Sequence, residues 1–202
     1  MSIKEGSTDD KKQRIVRAAM KVFAKKGFYN SRVSEIAREA DVADGTIYLY
    51  FKNKDDILIS LFEYEMKKMI AYMRKEIEKC DGPLERLQVF AYTHISMITE
   101  NHDWAEVIQV ELRQSAKFMR EYVNELYIEY LNLISFAIKE GQEKGIIRKD
   151  ITPGIIKRAF VGALDEMTRY WVLSTRKKHR ISDAIREISD VFIEGIKVEK
   201  EK

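Results

Sequence analysis

Apolar residues recur at helical spacing along nearly the whole chain, and this pattern predicts a protein built of helices. The first helix runs from a cap at Thr8 or Asp9 to about Lys26, with Ile15, Ala18, Ala19, Val22 and Phe23 on one stripe and Gly27 as its stop. Ser31 is the expected cap of a second, shorter pattern in which Val33, Ile36, Ala37 and Ala40 stand at i, i+3, i+4 and i+7. A tight connection, Asp41-Val42-Ala43, leads to a third helix opening at Asp44-Gly45-Thr46. That helix carries Tyr48 and Tyr50 among Ile47, Leu49 and Phe51, so some aromatic hydroxyls must face outward. Two helices joined by so short a turn, the second bearing hydrogen-bonding tips, describe a helix-turn-helix with a recognition helix.

Asn53 caps the next helix, expected from Lys54 to about Lys79 and roughly 39 Å long, enough to link a head rigidly to a separate body. In the body, Pro83 opens a helix ended by Asn101-His102, and Asp103 caps a shorter one through Trp104, Val107, Ile108 and Leu112. A long helix is expected from about Lys117 to Glu143 with Gly145 as its stop, another opens at Thr152-Pro153, and Ser182 caps the last. The expected fold is all-α: a three-helix helix-turn-helix domain over 1–53 and a helical-bundle regulatory and dimerisation domain over 54–202.

Composition narrows the class. Two prolines among 202 residues argue against a many-turned β protein, and 45% hydrophobic residues supply a core. The net charge of +3 is unevenly placed: residues 1–54 hold 12 Lys and Arg against 7 Asp and Glu, so the basic excess lies with the helix-turn-helix. A charge excess alone describes a solvated face; joined to that motif it points to a polyanion, double-stranded DNA. A lone Cys80 suits a reducing compartment, and no apolar run reaches the roughly 20 residues of a membrane span, so a cytoplasmic protein without membrane attachment is expected.

Residues 10–58 resemble the DNA-binding domain of the TetR family of bacterial repressors. The resemblance rests on FAKKGF at the end of the first helix and on VSEIAREADVADGTIYLYFKNKDDIL; the remainder matches in architecture only. Within that family, ADGTIYLYFKNKDDILISLF together with QVELRQS at 109–115 is similar to the acyl-CoA-responsive regulators of fatty-acid degradation. The resemblance implies a homodimer that represses fatty-acid catabolism genes, needs no cofactor, and leaves its operator when a long-chain acyl-CoA binds. By position, it implies that Arg32 and Val33 approach the phosphate backbone and that Gly45 and Thr46 near base edges. Tyr48 and Tyr50 fall on the contact face, Tyr48 toward phosphate, and Lys54 faces phosphate from the start of the linking helix. Asp44 stands where Lys or Ser is frequent in the family, and reads either as a helix cap or as an acceptor from a cytosine amino group.

For the effector, Met69, Met73, Phe90, Trp104, Ile108, Tyr127 and Tyr130 read either as ordinary core or as the lining of an adaptable apolar tunnel. Gln109 and Arg113 supply polar contacts at its mouth, or Arg113 pairs with Glu111. The last two helices, with Phe160, Leu164, Met167, Trp171, Ile188 and Phe192, are apolar enough to pair with a second subunit as a four-helix interface. His94 and His102, eight apart, lack the spacing of a metal site, and His94 reads as a core histidine. No phosphate loop or catalytic triad is present, so an enzyme is not expected. The alternatives are a regulator of efflux or stress genes responding to another apolar or cationic ligand, and, further off, a small hydrolase or ligand carrier with an incidental basic head.

Overall fold

The computed structural model describes residues 3–111, 125–176 and 178–199. Among these it holds nine α-helices and no strand, apart from one isolated bridge between Ile147 and Lys197. The helices are α1 (Ile3–Lys26), α2 (Val33–Glu39), α3 (Asp44–Ile47), α4 (Lys54–Ile77), α5 (Pro83–Thr99), α6 (His102–Glu106), α7 (Glu125–Glu143), α8 (Pro153–Leu173) and α9 (Ile181–Ile196). None of the described helices is long and apolar enough to cross a membrane.

The described residues divide into two compact units. One holds the chain up to Met66 together with the described part of Asn101–Val123; the other holds Lys67–Glu100 and the described part of Asn124–Lys202. The helix α4 is unbroken and contributes residues to both.

In the first unit α1 buries Ile15, Ala19 and Phe23 against Ile36 and Ala37 of α2, with Ile47, Phe51, Ile57, Leu58 and Leu61 completing the core. Lys21–Glu39 (3.0 Å) and Lys26–Glu35 tie the wet edges of α1 and α2 together. The helix α6 and the π-helical turn Val107–Glu111 that continues it pack on α1, and Trp104 lies 6.4 Å from Phe62 between ring centroids. The sequence pattern had predicted an ordinary helix across 107–112. A π turn widens the ring by one residue and shifts each later side chain around the axis.

The second unit is a bundle in which α5 packs on α7, α8 and α9. Leu87, Phe90, Ile95, Ile134, Ile138, Phe160, Leu164 and Ile193 fill its interior. At its edge Arg86 of α5 pairs with Glu140 of α7, both largely covered, and Glu140 also takes Lys144 at 2.6 Å. The Lys144 ammonium, followed by the Arg86 charge, holds the Glu140 carboxyl below its ordinary value of 4.5.

Helix starts differ from expectation by small, explicable shifts. The first helix begins at Ile3 rather than beside Thr8 or Asp9. Arg32 is the N-cap residue of α2, with Glu35 accepting from its backbone N–H at 3.0 Å; Ser31 is instead buried, donating to the Gly27 carbonyl at 2.6 Å. Ala43 caps α3, so Asp44 is its first residue rather than its cap. Asn101, not Asp103, caps α6 by accepting from the Trp104 N–H at 3.1 Å, and Arg180 rather than Ser182 precedes α9. The expected starts do hold at Asn53, whose side chain accepts from the Asp56 N–H at 2.9 Å, and at Pro83 and Pro153. Gly27 and Gly145 end α1 and α7 with φ of 80° and 67°, a left-handed conformation that glycine takes without strain.

Candidate nucleic-acid interface

The turn between α2 and α3 is built on Asp41, which sits at φ 52° and lets the Val42 N–H reach the Ala37 carbonyl at 3.0 Å. A left-handed non-glycine residue is tolerated best as Asn or Asp, whose short polar side chains suit it. Arg14 of α1 donates to the Asp41 carbonyl at 3.3 Å, fixing the turn from below. The helix α3 is a single turn, but the N–H groups of Tyr50 and Phe51 both bond the Ile47 carbonyl at 3.0 Å, so the chain stays wound to Phe51.

This winding sorts the side chains. Ile47 and Phe51 point into the core, while Tyr48 is 60% and Leu49 80% exposed. Tyr50 is half-buried, its ring 6.4 Å from that of Phe51. Gly45 is exposed, and a Cβ placed there meets nothing within 4 Å. Thr46 and Val33 are half-buried, and Arg32 is exposed at the start of α2. The structure therefore gathers Arg32, Gly45, Thr46, Tyr48 and Tyr50 on the wet parts of one helix-turn-helix. Leu49 joins them, although the sequence pattern alone assigns it no role. Its signal was present, an aliphatic side chain between two tyrosines, but only the wound turn shows that it faces away from the core.

Lys54 is placed otherwise than expected. Its ammonium donates to the carbonyls of Phe28 (2.5 Å), Tyr29 (3.1 Å) and Ser31 (3.0 Å), and lies 4.6 Å from the centre of the Phe28 ring. All three N–H donors are used within the protein, which leaves none for a phosphate. Burial holds this ammonium below its ordinary value of 10.5. On α2, the Lys26 ammonium and then the Arg32 N–H hold the Glu35 carboxyl below its ordinary value. An open groove of about 590 Å³ nearby mixes Lys21, Lys25, Lys26 and Arg38 with Glu35, Glu39 and Asp103, so most of its positive charge is offset within the groove.

The expected effector residues fall in both units. Met69, Met73, Phe90, Tyr127 and Tyr130 belong to the second, while Trp104, Ile108 and Gln109 belong to the first. Arg113, with the rest of 112–115, lies outside the described residues. Met69, Met73, Phe90, Trp104 and Gln109 are buried and Ile108 half-buried; Tyr127 is exposed. Tyr130 is buried with its hydroxyl 2.5 Å from His94 Nδ1, and burial raises its pKa well above 10. His94 Nε2 lies 3.3 Å from an Asp165 carboxylate oxygen, out of hydrogen-bonding alignment. An apolar cavity of about 10 Å³ between Leu87, Ile134, Phe160 and Phe192 is at the lower limit for a single water.

The dimer set needs correction at two positions. Phe160 and Leu164 are only 2% and 0% exposed within one chain, and Phe160 packs on Phe192 at 5.0 Å between centroids. They have no surface left to give a partner. Met167, Trp171, Ile188 and Phe192 keep partial exposure, and Val191, 71% exposed, stands beside them on α9.

Residues 15–61 match the family model described as bacterial regulatory proteins, tetR family, and residues 62–195 match the YsiA-like protein, C-terminal region. The chain belongs to the TetR family. Its exposed helix-turn-helix is thus the DNA-reading head of a transcription regulator, and the protein is not an enzyme. Among TetR-family relatives it is 37% identical to the fatty acid metabolism regulator protein of Bacillus subtilis (strain 168), over 92% of this chain and 95% of that one. Two solved structures overlay with a TM-score of 0.84. One is the transcriptional regulator FadR from Bacillus subtilis in complex with stearoyl-CoA, 36% identical, covering 91% of this chain and 98% of that one. The other is the fatty acid degradation regulator FadR from Bacillus halodurans, 34% identical, covering 92% and 95%.

Proposed function

We propose that this TetR-family regulator is a homodimeric, cytoplasmic repressor of fatty-acid degradation genes that leaves its operator when a long-chain acyl-CoA binds. The observation that carries the reading is similarity along nearly the full length to a regulator whose solved structure holds stearoyl-CoA. The buried, unbranched Met69 and Met73, in the same unit as Phe90 and Tyr130, support it, because such side chains rearrange readily around an acyl chain. Each buried methylene of that chain contributes about 0.8 kcal/mol, so affinity should climb steeply with chain length. Helix α4 has residues in both units and begins directly after the DNA-reading segment, which makes it the covalent route for release.

The test uses operator DNA selected by the protein from random duplexes and follows binding by fluorescence anisotropy. Stearoyl-CoA should weaken binding while free CoA leaves it unchanged. Release by cationic dyes and not by acyl-CoA would instead mark an efflux-type regulator. Native mass spectrometry should give a dimer mass; a monomer at micromolar concentration would defeat the homodimer.

A further inference from the structure

We infer that Lys54 is a positioning residue that sets the spacing of the two DNA-facing elements through a cage of backbone carbonyls. A cation at the first position of a helix stands at the wrong end of its dipole and needs compensation. Here the compensation comes from the loop between α1 and α2. Gly27 turns that loop back, the Ser31 hydroxyl holds it to the Gly27 carbonyl, and the carbonyls of Phe28, Tyr29 and Ser31 converge on one ammonium. The Phe28 ring closes the cage on one face at 4.6 Å. Arg32 and Val33 follow the loop directly, and the recognition turn ends just before Lys54, its Lys52 N–H held by Asp56 at 3.1 Å. One side chain therefore pins the start of α2 to the end of the recognition segment. It does so from a half-buried position, with its donors turned to carbonyls of its own chain.

The inference separates cleanly from a phosphate contact. An arginine in its place keeps the charge, but a planar fork cannot aim its donors at three carbonyls around one nitrogen. Lys54→Met keeps the stem and removes the cation. Both variants should lose roughly ten-fold or more in operator affinity, as expected when caged carbonyls lose their donor. The slope of log affinity against log salt should stay as in the parent, because no phosphate contact is lost. Measured well below the melting temperature, this loss belongs to the folded protein, which a lysine serving stability alone would not produce. Restoration by Lys54→Arg, a slope shallower by about one, or unchanged affinity in Lys54→Met would overturn the inference.

Should Lys54→Met not fold, the parent protein decides by lysine reductive methylation with and without operator DNA. Lys54 should be slow to react in both states. Protection that appears only with DNA would make it a phosphate contact.

Discussion

At the scale of single residues, the head separates side chains that hold it together from those free to read DNA. Gly45 belongs to the second kind: nothing surrounds it, so no packing or backbone conformation demands glycine there. Gly45→Ala should leave the melting temperature level or raise it, a helical alanine being worth up to about 1 kcal/mol over glycine. Operator affinity should nonetheless fall, because a methyl group then stands where bases approach; unchanged affinity would remove Gly45 from the interface. Gly141 is the opposite case. A Cβ there meets Ile147 Cδ1 at 2.5 Å and Cγ1 at 2.6 Å, and Ile147 is itself buried. Gly141→Ala should lower stability by about 1–3 kcal/mol despite its better helix propensity, a reversal of sign readable by thermal melting. Leu49 offers an apolar tip at the protein surface and Tyr48 a hydroxyl beside it. Leu49→Ala should cost affinity most for operators with thymine under the recognition turn, by roughly 1 kcal/mol per lost methyl contact.

At the scale of elements, helices were legible because burying a stripe requires a 3.6-residue period, and Ile15, Ala19 and Phe23 or Leu87, Phe90 and Ile95 keep it. Their ends were less so. Caps depend on where a hydroxyl or carboxamide reaches, and Ser31 reaches backward to Gly27 instead of forward into α2. The role of Lys54 was illegible for a related reason: its partners lie 23 to 26 residues away and are carbonyls, which carry no side-chain signature. The π turn at 107–111 likewise leaves the apolar pattern unchanged over so few residues. Glu140, held by Lys144 on its own helix and by Arg86 of α5, gives a pH prediction. The Glu140 carboxyl is held low in the folded state, so its contribution is present above the ordinary glutamate value near 4.5 and is lost as pH falls through the depressed one. Glu140→Gln should therefore lower the melting temperature at pH 7 and show a smaller difference from the parent at pH 3. An equal difference at both would mean that Glu140 contributes through shape alone.

At the scale of the whole molecule, release by an effector is a linkage. If stearoyl-CoA weakens operator binding by some factor, operator DNA must weaken stearoyl-CoA binding by the same factor. Calorimetric titration of acyl-CoA into free and operator-bound protein should recover that equality, and a mismatch would mean that a further equilibrium, such as a second acyl-CoA site, enters the cycle. Helix α4 carries a specific expectation within this cycle. Met73 is buried in its second half and Lys54 begins its first. Met73→Ala should alter effector affinity while leaving effector-free operator affinity within about two-fold, since the sites are remote along one helix.

The way α6 and the π turn pack on α1 bears on how such a protein can be recombined. The head is stitched from two stretches of chain, and Trp104 and Val107 are as much a part of its interior as Phe23. A chimaera joined at residue 53 would transplant a reading motif with one wall missing, leaving α1 to find a substitute in its new host. Exchange of heads between such regulators should succeed only where residues 101–111 travel with the graft, or where the recipient already carries their equivalent.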